Sequence, residues 1–271
     1  MLKKLGSLLL VLVLLVTLAA CAGIPGGGAS ADPTTLAFER YSHILEQMSV
    51  GPGESGAYDV DFSMVMDMRF LGEVVHTVSS GNMKMLVDGD NVQTSMVMDM
   101  DMGELGTAVM ELYMAMEGDT ITEMFMSVDG TEIPSEFVDP DMLEDMFGDA
   151  VNMPQVNMDA FLSVEIEEVD GNTLMHVVLD GQMLADFALA ATGDMLVELG
   201  FDMDVEIEDV FMTIVSDSDG NPLSMTMDMN MQMSFEGEGF EELDGEVMTI
   251  EMTSEFIFNG FGNSVQMVAF V

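Results

Sequence analysis

The chain has 271 residues, 50 acidic and 5 basic, for a formal net charge of −45. This balance excludes nucleic-acid binding, which needs a basic patch against phosphate, and it opposes adhesion to anionic headgroups. Yet 49% of the residues are hydrophobic and strongly periodic, which acidic disordered chains are not.

Lys3 and Lys4 precede an apolar stretch from Leu8 to Val16 and then small residues, the layout of a secretory signal peptide over residues 1–20. An uncleaved transmembrane helix is the alternative, near the lower length limit of about 17 residues. Cys21, the only cysteine, follows Leu18-Ala19-Ala20, an ending that resembles the lipobox of bacterial lipoproteins. The resemblance implies cleavage before Cys21 and acylation of its thiol. The protein would then be extracytoplasmic, anchored by lipid to the cell membrane or envelope. Residues 21–31 are rich in glycine and read as a flexible tether. The rest, 32–271, has no linker that would split it and no cysteine for a disulfide or thiolate site.

Thr35 to Ser49 is expected to be helical, with Leu36, Ala37, Tyr41, Ile44, Leu45 and Met48 on one side. Strands are expected at 57–69, 73–80, 82–88, 92–102, 107–117 and 120–128. The second and third can also be one strand bent around Ser79-Ser80-Gly81. A second helix is read at Pro140 to Phe147, with proline in its first turn. Strands follow at 161–169 and 173–180, then a third helix from Gln182 to Leu196. The last strands are read at 202–215, 223–235 and 246–258, with a final segment at 264–270. Asp88-Gly89, Asp129-Gly130, Asp170-Gly171, Asp219-Gly220 and Asn259-Gly260 supply turn signals between strands. The expected fold is a single α+β domain, a curved antiparallel sheet or incomplete β-barrel of about eleven strands with three helices.

Methionine occurs 33 times, mostly at alternating positions. Val60, Phe62, Met64, Met66, Met68 and Phe70 alternate with Asp59, Asp61, Ser63 and Asp67. Met96, Met98 and Met100, the odd positions from Met225 to Met233, and Met248 to Phe258 repeat the pattern. Period two over such lengths puts one face of each strand on an apolar interior and the other in water.

The order of parts resembles the lipoprotein-carrier superfamily of LolA/LolB-like folds and the mycobacterial LppX and LprG lipoproteins. It looks closest to an uncharacterised group of Firmicutes lipoproteins. The resemblance rests on the lipobox, the tether, the amphipathic helix and the wide hairpins. It also rests on Val178-Leu179-Asp180-Gly181 leading into a helix, on Asp217 to Leu223, and on the hairpin Phe256 to Gly262. It implies a cavity that accepts acyl chains. Extreme methionine content and few bases depart from that family.

Methionine side chains repack around varied apolar shapes. A lipid or other hydrophobic small molecule is therefore one expected partner, lined by Met66, Met68, Met98, Met100, Met227, Met229, Met231 and Phe256. A filled core built from the same rows, with an acidic face that meets a protein partner, is the other reading. Monovalent copper on thioether ligands is a third; the three histidines, His43, His76 and His176, are scattered. Asp217 to Asn221 has part of a calcium-loop pattern, but Val215 stands where another acid is needed. No catalytic residue, metal site or cofactor is expected, because no nucleophile elbow, phosphate loop or zinc signature occurs.

Overall fold

The computed structural model describes residues 33–48, 55–132 apart from 71, 90, 104–105 and 118–119, then 158–186, 202–236, 247–262 and 265. The expected signal peptide, Cys21, the expected tether, the expected helix Pro140–Phe147, residues 187–196 and most of 264–270 lie outside them.

Helix α1 spans Pro33–Met48. The first strands are β1 Ser55–Phe70, β2 Glu73–Asp88, β3 Asn91–Asp101, β4 Thr107–Glu117, β5 Thr120–Val128 and β6 Thr131–Glu132. After a 3-10 turn at Met158–Ala160 come β7 Phe161–Val169, β8 Asn172–Leu179, β9 Asp202–Ile207, β10 Val210–Ser216, β11 Pro222–Glu236 and β12 Val247–Phe261. All pair antiparallel in one 12-stranded sheet, ordered β6-β5-β4-β3-β2-β1-β12-β11-β10-β8-β7, with β9 also on β11. Two meanders are thus joined where β12 pairs with β1. The sheet curves but stays open at β7 and at the β5–β6 end, an incomplete barrel in an α+β fold.

Turn chemistry sets the hairpins. Asp129 and Asp170 have φ of 52° and 53°, and the glycines after them 69° and 85°, the paired left-handed residues of tight hairpin turns. Beyond Asp129-Gly130 the chain adds β6, which the sequence pattern does not announce.

One open alternative is decided and one expectation is corrected. Residues 73–80 and 82–88 form one strand, because Gly81 stays in the ladder, opposite Phe62 on β1 and Met98 on β3. Residues 202–215 form two. On β11, Asp228 pairs with Phe211 and Met231 with Ile207, so the five residues 207–211 oppose the four residues 228–231. The extra residue is a β-bulge at Glu208-Asp209.

Helix α1 begins with Pro33 in its first turn. Its buried Ala37 and Tyr41 join the main core, and the rings of Phe38 and Tyr41 meet Phe161 edge-on at 5.5 and 5.7 Å. Arg40 Nη1 donates to the Gly220 carbonyl at 3.2 Å, tying α1 to the β10–β11 turn. Residues 181–186 form another short helix. Asp180 Oδ1 caps it, accepting from the backbone N of Gln182 (2.9 Å) and Met183 (3.1 Å).

The Asp217 carboxylate organises the β10–β11 turn. It accepts from the backbone N of Asp219 at 2.9 Å and Asn221 at 2.8 Å, and from Asn221 Nδ2 at 2.8 Å. The Asn221 side chain and backbone hold its pKa below the ordinary 3.8. The resulting stability is complete above that pH and is lost as pH falls through the lowered native value. In thermal unfolding from about pH 6 to pH 2, wild type is expected to exceed Asp217→Asn at the neutral end, with the gap closing in acid. A gap that does not change with pH would refute this role for the carboxylate.

Candidate ligand-binding face

Directly opposed residues in antiparallel strands share a face, so the register locates every candidate side chain. Met66, Met252 and Met229 form one cross-strand row, and Met68, Ile250 and Met231 the next. Met98, Gly81, Phe62, Phe256 and Met225 form another row. Met100, Ser79, Met64, Ser254 and Met227 make a parallel one. Every lining candidate therefore lies on a single face, the one covered by α1.

Packing on that face is uneven. Around β1, β7 to β12 and α1 the side chains form one core, in which Met175, Met212, Met225, Met227, Met231 and Met233 are fully buried. Met66 and Met229 belong to it, while Met68 and Phe256 pack against it half-buried. On β3 and β4, Met96, Met98 and Met114 are buried outside this core. Their neighbours Met100, Met110, Leu112 and Met116, with Met124 and Met126 on β5, are only half-buried.

Ser79 and Ser254 are at most 1% exposed, opposite Met64 from both sides. Neither hydroxyl has a hydrogen-bond partner among the described residues. An unsatisfied buried hydroxyl costs about 1–3 kcal/mol, so these are polar points inside an apolar lining. Parity alone places them inward; their isolation depends on the packing.

The opposite face is polar. Lys84 Nζ lies 2.8 Å from Asp59 Oδ2, and Asn82 Nδ2 donates to Asp59 Oδ1 at 2.7 Å and Asp61 Oδ1 at 2.8 Å. Burial pushes the Asp59 carboxyl up, but the Lys84 and Asn82 hydrogen bonds and the Lys84 charge outweigh it and hold its pKa below the ordinary value. His76 Nδ1 pairs with Asp67 at 2.7 Å, and His176 Nδ1 with Thr213 Oγ1 at 3.0 Å. Both histidines are on this polar face, so neither imidazole can join the thioether rows. Among the described residues no three His, Cys, Asp or Glu side chains are grouped to hold a metal ion.

No family model matches the sequence, and no curated protein does. Solved structures show a weak, remote similarity. A DUF1329 family protein from Desulfovibrio piger is 12% identical over 88% of this chain and 96% of its own, with a TM-score of 0.25. A putative outer membrane lipoprotein-sorting protein domain from Vibrio parahaemolyticus is 9% identical over 86% and 94%, with a TM-score of 0.23. Lipovitellin, in a structure of its lipid–protein interactions, is 11% identical over 82% of this chain and 26% of its own, with a TM-score of 0.31. The likeness is to lipoprotein-sorting and other β-sheet domains in general; it singles out no one family or bacterial group, the Firmicutes lipoproteins included.

Proposed function

We propose that this chain is a non-catalytic extracytoplasmic lipoprotein, acylated at Cys21, that binds a lipid or other hydrophobic ligand against its methionine–phenylalanine face. The observation that carries this reading is the register, which gathers Met66, Met68, Met98, Met100, Met227, Met229, Met231 and Phe256 on one face. An apolar lining with few polar groups is what such a ligand requires. The half-buried methionines of β3 to β5 are the side from which an acyl chain enters, since thioether side chains shift at little cost. Met227, Met229 and Met231 form the packed floor. The Ser79 and Ser254 hydroxyls would donate to a carbonyl or carboxyl oxygen of the ligand.

A second reading, an interaction lipoprotein with a filled core, is favoured by the complete burial of Met225, Met227, Met231 and Met233. Native mass spectrometry of the full mature lipoprotein, released from neutral detergent, separates the two. The expected result is added mass beyond the acylated polypeptide, lost on solvent extraction. The bare acylated mass after incubation with lipids would leave the filled core standing.

A further inference from the structure

On the outer face, a cleft of about 270 Å³ crosses β10, β11, β12 and β1. Its floor follows two cross-strand rows. Phe211, Asp228, Thr253 and Val65 form one, and Asn230, Glu251 and Asp67 the other, with Asp209 beside the latter. The bulge at Glu208-Asp209 separates β9 from β10 along β11 at this point, and bulges re-aim side chains near binding sites. Phe211 is 58% exposed and Val65 41%. Val65 is opposed by Val78, itself exposed, which continues the apolar strip onto β2.

We propose that this cleft docks a protein partner through a segment that alternates basic and apolar side chains. An arginine of the segment would lie over Asp228, Asp209 and Glu251, with its neighbour against Phe211 or Val65. Charge complementarity identifies the occupant. Four carboxylates line the cleft, against which stand Arg69, 3.1 Å from Glu251, and His76, paired to Asp67. Asp209 has no hydrogen-bond partner among the described residues, and Asp228 accepts only from Thr253, at 2.6 Å. The surplus is negative, beside an exposed aromatic ring that attracts guanidinium on its face. A second copy is disfavoured because each chain carries −45.

The test uses the full mature lipoprotein in neutral detergent and a fluorescent peptide alternating arginine and leucine. Anisotropy is read at about 150 mM salt, where diffuse attraction is screened. Saturable binding is expected. Phe211→Ser and Asp228→Asn should each weaken it by about tenfold or more, as loss of an anchor contact does. Glu117→Gln with Glu123→Gln, exposed on the β4–β5 hairpin, should change nothing. An alternating glutamate–leucine peptide should not bind. Equal losses from the cleft and the distant pair would overturn the proposal in favour of nonspecific charge. Displacement of the peptide by stoichiometric calcium would overturn it in favour of a cation site.

Discussion

Replacing Met229 with glutamate is expected to unfold the domain. Met229 is 3% exposed, in the middle of β11, opposite Met252 with Met66 beyond it. No basic residue stands on this face in those rows, so a carboxylate there would be buried without a partner. An uncompensated buried charge belongs to the few causes of losses above about 4 kcal/mol, comparable with the whole stability of a domain, about 5–15 kcal/mol. Met229→Leu conserves volume and should cost less than about 1.5 kcal/mol. Urea unfolding followed by far-ultraviolet circular dichroism distinguishes the two. A wild-type midpoint for Met229→Glu would mean that this part of the face is wet, and the packed floor would have to be abandoned.

Gly81→Val should be almost as damaging, for a steric reason. A Cβ at Gly81 collides with the Val97 carbonyl oxygen and lies 2.9 Å from Phe62 Cζ and 3.0 Å from Met98 Cα. Two of those contacts are backbone, so no rotamer change relieves them and β2 must move off β3. Overpacking of this kind costs about 3 kcal/mol. At Gly89 a Cβ meets nothing within 4 Å, and only the φ of +64° resists it, so Gly89→Ala should cost about 1–2 kcal/mol. Hydrogen exchange of β2 and β3 amides gives a local readout, with faster exchange expected for Gly81→Val. Wild-type protection and midpoint in that variant would show that β2 and β3 do not approach as closely as the register requires.

Local sequence determined strand identity wherever alternation ran long. The expected strands 107–117 and 120–128 coincide with β4 and β5, because a period of two and an intervening polar turn leave the backbone few alternatives. Parity also determined which methionines share a face within each strand, since successive side chains alternate whatever the partner. Residues 202–215 mark the limit. Val205, Ile207, Val210, Met212 and Ile214 all turn inward, but the parity changes between Ile207 and Val210, and only pairing along β11 shows where the extra residue sits. Tertiary pairing likewise decided that Met66, Met252 and Met229 meet, although 163 residue numbers separate the first from the last. It placed Ser79 and Ser254 opposite Met64 and assembled the outer cleft from four strands. Alternation is a property of each strand's own backbone and is written in its residues. Adjacency, burial of a hydroxyl and the shape of a cleft are properties of strand order and register, which the chain fixes only when its two meanders close on each other at β1 and β12.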